Sequence, residues 1–320
     1  SNSIYLLQSL TNGTYTQVPA NQFSLVFNDS GSAAYGIGLN VASGCNNSVL
    51  GGKCNTIETD NSTSTILAGQ GNRIAPSLMS VFGTPTMKDS SYSLIGAGWY
   101  NCIKNSPSTV ILGGANNFVS GTQNGLNSIL GGCSNKIVGN QSTIAGGCGH
   151  WLGTTGQGYP FYSNANTIGG GQYNCTFTLN PFDFASVNSM FKDRYVACVM
   201  NTTIGGGFKN CIAGNETFIG GGNSNAVWNS HSSVVGGCIN RVTGCKSAIL
   251  GGVDNRVAGH TSFIIGGECN AVGYRENTSW GGFLFNGDEP FGGDKDQYNT
   301  ILNGACNYIY SGCHNYIPLG

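Results

Sequence analysis

The chain has 320 residues, of which 52 are glycine and only 8% are charged, and its net charge is −1. Glycine follows no Gly-X-Y period, which excludes collagen, and the charged fraction is far below the about 25% of an ordinary globular domain. No basic stretch and no apolar run near the about 20 residues that cross a bilayer is present, so we expect neither nucleic-acid binding nor membrane insertion.

The first 44 residues lack the pattern that fills the rest of the chain. Within them, residues 4–10 and 22–27 have the composition of short strands, with Asn12-Gly13 as a turn between them. A stack of repeats needs a covered end, because an open sheet edge pairs readily with other chains. We therefore expect residues 1–44 to form an N-terminal cap or attachment segment, followed by a repeat domain over residues 45–317.

The repeat is clearest between residues 234 and 272, where three units each contain a glycine pair. The second glycine of each pair, hereafter the key glycine, lies at positions 237, 252 and 267, a constant spacing of 15. Around Gly252, Ile249 lies three positions before, Asn255 three after and Val257 five after. A fixed period with apolar residues at fixed phases indicates a solenoid.

These phases recur in thirteen units. The position three before the key glycine is Val or Ile in all thirteen, the Asn is replaced once, by His150, and the later aliphatic is replaced once, by Thr176. The key glycines are Gly52, Gly69, Gly98, Gly114, Gly132, Gly147, Gly171, Gly207, Gly222, Gly237, Gly252, Gly267 and Gly304.

Each unit has the composition of one coil with two short strands. A β-branched residue on each strand points inward, the key glycine makes a corner that a Cβ would obstruct, and the Asn hydrogen-bonds the turn and stacks on the next Asn. Where His150 replaces Asn, we expect a hydrogen bond at the same turn. The sequence therefore predicts an all-β, parallel β-solenoid (β-roll) with about 15 residues per coil.

A second row of residues should point outward, because neighbours on a strand face opposite sides. The residue two before the key glycine is apolar or glycine in every unit. Such a stripe predicts an interface with sister copies, which we interpret as a homotrimer; a bundle of another order is the competing interpretation. The candidate trimer-interface residues are Leu50, Leu67, Leu112, Leu130, Val235, Leu250, Ile265 and Leu302.

All variation in unit length falls between one unit's second strand and the next unit's first strand. The larger insertions are 75–92, 153–164, 177–200 and 274–298, and such loops often build the binding face of a solenoid. Their aromatic residues either form small cores within each loop or serve as platforms for sugars. The candidate ligand-binding residues are Trp151, Tyr159, Phe161, Tyr162, Phe182, Phe184, Tyr195, Trp280, Phe283 and Phe285.

Other chemistry has little support in the sequence. The acidic cluster at 288–296 is either a solvated loop or a calcium site with Asp288, Glu289, Asp294 and Asp296 as oxygen ligands; no other cofactor is expected. The thirteen cysteines form no zinc motif, so we interpret most as small apolar stacking residues, and the sequence leaves open whether a few form disulfides. No catalytic triad, P-loop or defensible carboxylate pair is present, and we do not expect an enzyme.

The unit Asn127-Ser-Ile-Leu-Gly-Gly-x-x-Asn135 resembles the head repeats of trimeric autotransporter (YadA-like) adhesins, a roll also used in phage and large-virus fibres. The resemblance covers about residues 45–317. It implies a left-handed, trimeric β-roll that attaches to surfaces or receptors. The stricter Gly-Gly-x-x-Asn pattern, the large insertions and the many cysteines favour a viral fibre or a fibre-forming surface protein.

The sequence thus leads to a trimeric fibre or adhesin head that binds a host-surface glycan or protein receptor through its insertion loops, on a virion or at the cell surface. The alternative is a purely structural fibre, filament or capsid-decoration subunit. A solenoid that binds ice or mineral is disfavoured, because regular Thr-x-Thr ladders are absent.

Overall fold

The computed structural model describes eleven stretches of the chain, and within them it contains strands and turns but no helix. The described residues are 23–27, 31–37, 40–58, 61–81, 84–88, 90–121, 125–154, 162–178, 198–273, 298–310 and 312–319. The chain divides into two compact units, Ser1–Gly149 and His150–Gly320.

The first unit contains two sheets of short, mostly parallel strands and one two-stranded antiparallel hairpin. Its strands are β1 (Phe23–Phe27), β2 (Ala33–Ile37), β3 (Val41–Ala42), β4 (Ser48–Val49), β5 (Thr56–Ile57), β6 (Thr65–Ile66), β7 (Arg73–Ala75), β8 (Ser77–Val81), β9 (Thr84–Lys88), β10 (Leu94–Ile95), β11 (Cys102–Lys104), β12 (Val110–Ile111), β13 (Phe118–Ser120), β14 (Ser128–Ile129), β15 (Lys136–Val138) and β16 (Thr143–Ile144). The first sheet has the order β1-β2-β4-β6-β10-β12-β14-β16, and the second sheet has the order β3-β5-β7-β11-β13-β15.

The second unit repeats this arrangement. Its strands are β17 (Trp151–Thr154), β18 (Tyr162–Asn164), β19 (Thr167–Ile168), β20 (Cys175–Thr178), β21 (Cys198–Met200), β22 (Thr203–Ile204), β23 (Cys211–Ile212), β24 (Phe218–Ile219), β25 (Ala226–Val227), β26 (Ser233–Val234), β27 (Arg241–Val242), β28 (Ala248–Ile249), β29 (Arg256–Val257), β30 (Phe263–Ile264), β31 (Ala271–Val272), β32 (Thr300–Ile301), β33 (Tyr308–Ile309) and β34 (Tyr316–Ile317). The first sheet runs β19-β22-β24-β26-β28-β30-β32-β34, the second runs β17-β20-β23-β25-β27-β29-β31-β33, and β18 pairs with β21.

Equivalent residues of successive coils, that is, of successive sequence repeats, pair in register. Val234 of β26 pairs with Ile249 of β28, and Ile249 pairs with Ile264 of β30, always in parallel. Parallel pairing in register stacks identical phases into columns, so that one coil determines which way the side chains of the next one point. The predicted all-β fold of stacked parallel strands is confirmed for the described residues.

The interior of each unit is built from two aliphatic columns. All thirteen Val and Ile residues before the key glycines are fully buried, at 0% exposure. The aliphatics five positions after the key glycines are 0–1% exposed, except Ile309 at 6%. Thr176, the polar exception, is also buried at 0%. Branched side chains on short strands therefore fill the narrow interior, as the sequence predicts.

The corner between the two strands of a coil, hereafter the first corner, contains the key glycine and the Asn. At Gly252, φ is +91°, and a Cβ would lie 2.1 Å from the carbonyl oxygen of Gly267 in the next coil. Both facts exclude a side chain there. All thirteen key glycines have positive φ.

The predicted Asn ladder is present at this corner. The backbone N–H of Asn255 donates to Oδ1 of Asn240 at 3.0 Å, and Nδ2 of Asn255 donates to the carbonyl oxygens of Gly251 and Gly267 at 3.1 and 2.9 Å. His150 takes the same acceptor role, because its Nδ1 accepts the backbone N–H of Asn174 at 3.2 Å. Asn255 thus ties its own turn to both neighbouring coils.

The opposite corner, hereafter the second corner, contains a polar ladder that the sequence analysis did not identify. The residue five before the key glycine is Ser, Thr or Asn in all thirteen units, and every one is buried. The backbone N–H of Ser247 donates to Oγ of Ser232 at 3.2 Å, and Oγ of Ser247 donates to the carbonyl oxygen of Gly259 at 2.8 Å. Buried backbone groups at this corner are therefore satisfied by short side chains.

The N-terminal segment is continuous with the sheets of the first unit. The strand expected at residues 22–27 is observed as β1, which pairs antiparallel with β2. Strands β2 and β3 already pair in parallel with β4 and β5. The strand expected at residues 4–10 lies outside the described residues.

The insertions leave the coils at the second corner in both units. In the first unit, residues 75–92 include the antiparallel hairpin β8–β9. In the second unit, insertion 153–164 ends in β18, and insertion 177–200 begins in β20 and ends in β21. Of insertion 274–298, only Tyr298 is described.

Candidate self-assembly surface

The predicted interface residues form an exposed row on the first sheet of each unit. This aliphatic row consists of Leu50, Leu67, Leu112 and Leu130 in the first unit, and of Val235, Leu250, Ile265 and Leu302 in the second. Seven of the eight are 44–52% exposed, and Leu302 is partly exposed. Large aliphatic side chains thus face solvent in the isolated chain at one repeated phase.

The backbone holds the row in a fixed position. Ile249 points into the core, so Leu250 points outward, and the N–H of Leu250 donates to the carbonyl oxygen of Ile264 at 3.0 Å. Val235 makes the same bond to Ile249 at 3.0 Å. The row therefore lies on a hydrogen-bonded sheet surface, where neighbouring side chains are about 4.8 Å apart.

Glycine interrupts the row where the chain's own backbone leaves no room. A Cβ at Gly205 would lie 2.4 Å from the carbonyl oxygen of Gly220, and one at Gly220 would lie 2.3 Å from that of Val235. Gly96 and Gly169 meet the next coil in the same way. These interruptions follow from close approach of successive coils and need no external explanation.

The outward positions on the first-sheet strands beside the aliphatic row carry no charge. The other outward position of the first sheet is four before the key glycine, and in the described residues it contains only uncharged side chains, among them Phe218 and Phe263, each 42% exposed. The sequence analysis missed this second position, although the period of two on a strand predicts it. Its residues are Ser48, Thr65, Leu94, Val110, Ser128, Thr143, Thr167, Thr203, Phe218, Ser233, Ala248, Phe263 and Thr300.

Charged side chains lie on the second sheet and at the corners instead. Arg73 pairs with Glu58 in the first unit, and Arg256 pairs with Asp254 at 3.1 Å in the second. Further outward charges on strands of the second sheet are Lys104, Lys136 and Arg241. Each unit thus has an uncharged first-sheet face and a charged second-sheet face.

The position directly before the key glycine, whose glycine is hereafter the leading glycine, does not require glycine within the chain. Ten of the thirteen units have it, and none of the ten has positive φ. A Cβ at Gly236 or Gly251 would have nothing within 4 Å. The leading glycines adjoin the aliphatic row, so they leave a shallow surface beside it that another backbone can approach closely.

Exposed aromatic residues follow several key glycines and were also missed. Trp99 and Tyr100 are 63% and 59% exposed, and Tyr173 packs edge-to-face against Phe208 with ring centroids 6.0 Å apart. Nζ of Lys209 lies 5.0 Å from the centroid of Phe208. Their position one or two residues after a key glycine was the signal in the sequence that could have identified them.

The predicted ligand-binding aromatics lie mostly outside the described residues. Trp151 begins β17, pairs in register with Cys175 and is half-buried. Tyr162 begins β18 and pairs with Cys198. Tyr159, Phe161, Phe182, Phe184, Tyr195, Trp280, Phe283 and Phe285 lie outside the described residues, as do the predicted calcium ligands Asp288, Glu289, Asp294 and Asp296.

Within the described stretches, no group of three or more His, Cys, Asp or Glu side chains could hold a metal ion. The same stretches contain no helix of the length and apolarity needed to span a membrane. No protein-family model matches the chain, and a comparison with curated proteins finds no match.

Proposed function

We propose that the protein is a non-enzymatic subunit of a homotrimeric fibre or adhesin head, built as a left-handed β-solenoid with about 15 residues per coil. The supporting observation is the uncharged outer face of the first sheet with its exposed aliphatic row. An apolar stripe of this kind on a soluble chain is typical of an interface. Three copies packed around an axis bury the stripe of each copy.

The leading glycines are a second observation that supports the same interface. Small residues beside an apolar row allow the backbones of two copies to approach closely, and the chain itself needs no glycine at these positions. Charged side chains remain on the second sheet, which faces solvent in such an assembly. Charge is typically depleted from the centre of an interface, in agreement with this orientation.

Receptor binding is assigned to the insertion loops. All of them begin and end at the second corner and not on the first-sheet face, so we expect an assembled trimer to leave them accessible. Their aromatic residues are suited to stacking on sugar rings or on a protein receptor. A host-surface glycan or protein receptor is therefore the proposed partner, and the virion surface or cell surface is the proposed location.

The assembly is tested by measuring the native mass of the full chain and of a Leu250→Glu/Ile265→Glu variant. We expect the wild type at three times the 33.2 kDa chain mass and the variant at a single chain mass, because carboxylates in a dry interface lose their hydration. Lys246→Glu, on the exposed second corner, is the matched control and retains the trimer. A monomeric wild type would overturn the proposal, and a different multiple would correct its order.

The receptor assignment is tested with variants in which residues 155–161, 179–197 or 274–297 are replaced by short Gly-Ser linkers. Binding to a glycan array is lost while the native mass is unchanged if the loops are ligand sites. In the purely structural alternative the insertion loops make subunit contacts, so it predicts no glycan binding by the wild type and loss of assembly in the loop variants.

A further inference from the structure

Two cysteines of the second unit lie in direct contact across neighbouring coils. Cys175 begins β20, Cys211 begins β23, and the two are register partners in parallel strands. Their sulfur atoms are 2.7 Å apart and share a hydrogen bond. This distance is longer than the about 2.05 Å of an S–S bond, yet it is shorter than the normal separation of unbonded sulfur atoms.

The strand geometry is compatible with a covalent bond. Register partners on neighbouring strands lie about 4.8 Å apart. That separation falls within the about 4.4–6.8 Å range of Cα–Cα distances that disulfides span. Closing the bond therefore requires small χ1 rotations and no change in strand pairing.

We propose that Cys175 and Cys211 are a disulfide-forming pair that covalently joins the two coils on either side of the 179–197 segment. The bond would close a loop that contains the whole segment, since Cys175 lies before it and Cys211 after it. The proposal does not depend on trimer formation or on receptor binding.

The oxidant is a small-molecule disulfide. One protein thiolate attacks a sulfur of the oxidant, whose S–S bond breaks and releases one thiol. The second protein thiolate then attacks the mixed disulfide, forms the Cys175–Cys211 bond and releases the second thiol. The two protein thiols lose two electrons and two protons, and the oxidant is reduced to two thiols.

The contact also predicts how the rate depends on pH. The pKa of the Cys211 thiol is held well above its usual range, mainly by the hydrogen bond with Cys175 and next by burial. Because only the thiolate attacks, bond formation accelerates as the pH rises toward that pKa. We expect it to be faster at about pH 9 than at about pH 7.

Other cysteines provide internal comparisons. Cys133 and Cys148 are also paired on neighbouring coils, in the first unit, and the hydrogen bond between them raises the pKa of Cys148. Cys238 occupies the same phase as these two, but its partners on the neighbouring coils are Asn223 and Val253. Cys238 therefore serves as the matched control.

The test treats the full chain with oxidised glutathione, alkylates the remaining thiols and maps cross-linked peptides by mass spectrometry. The expected result is a peptide pair joined through Cys175 and Cys211 that disappears on reduction. Cys175→Ser and Cys211→Ser abolish it, and Cys238→Ser retains it. Complete alkylation of Cys175 and Cys211 after oxidation, or pairing of either with any other cysteine, would overturn the proposal.

A second measurement guards against an effect of the substitutions on folding. The oxidised wild type should melt roughly 5 °C or more above its reduced form, because the bond restricts the unfolded chain. The Cys175→Ser/Cys211→Ser variant should melt at the temperature of the reduced wild type under both conditions. Equal melting temperatures for oxidised and reduced wild type, despite a mapped bond, would remove its stabilising role.

Discussion

Both corners of each coil carry a buried polar ladder, yet all changes in coil length occur at the second corner. From the buried aliphatic before the key glycine to the buried residue after it, which is aliphatic in twelve repeats and Thr176 in one, the separation is always eight positions. Across the second corner, from the later aliphatic to the next coil's first one, the separation ranges from 7 to 29 positions.

The difference follows from how far each ladder side chain reaches. Nδ2 of Asn255 donates both to Gly251 in its own turn and to Gly267 in the next coil, so the turn must have one length. Oγ of Ser247 donates to the carbonyl oxygens of Cys245 and Gly259. The backbone N–H of Ser247 donates to the hydroxyl of Ser232. Residues inserted ahead of the second-corner turn therefore leave these hydrogen bonds intact.

The largest difference between the two corners is expected when a Gly-Ser dipeptide is inserted at each of them. Between Asp254 and Asn255 the insertion separates Asn255 from Gly251, and we expect a loss of about 4 kcal/mol or more in the free energy of unfolding. Between Gly244 and Cys245 it lengthens a permissive loop and should cost about 1 kcal/mol or less. Urea unfolding of both variants measures the difference, and similar costs would contradict the assignment of one rigid and one permissive corner.

The glycine pair offers a sharper test within the first corner. Gly252→Ala places a Cβ against the backbone of Gly267 at positive φ, and we expect a loss of about 3 kcal/mol or more. Gly251→Ala meets open space and should change the free energy of unfolding by less than about 0.5 kcal/mol. Thermal unfolding distinguishes them; equal destabilisation would mean that the chain itself requires glycine at the leading position.

Removing one side chain from each ladder should give a smaller difference in the free energy of unfolding. Asn255→Ala leaves the buried N–H of Asn270 and the carbonyl groups of Gly251 and Gly267 without these partners, which we expect to cost about 3 kcal/mol. Ser247→Ala removes the acceptor of the Ser262 N–H and one donor to Gly259, with an expected cost of about 1.5 kcal/mol. The urea midpoints of the two variants give the comparison, and a larger effect of Ser247→Ala would reverse the ranking of the ladders.

The sequence by itself determined the parts that depend on phase. Once Ile249, Gly252, Asn255 and Val257 recur at constant offsets, strand alternation decides which side chains point inward, where the chain turns and that Leu250 points outward. The inward columns, the Asn ladder, the role of His150 and the exposure of the aliphatic row followed from this repetition.

Tertiary structure alone decided which residues meet across variable lengths of chain. Cys175 and Cys211 contact each other although the 179–197 segment separates them, because hydrogen-bonded register pairs coils whatever length of chain connects them. The hydrogen bonds of the Ser/Thr/Asn ladder and the open space at the leading glycines likewise depend on neighbouring coils. Composition and spacing within one unit do not contain that information.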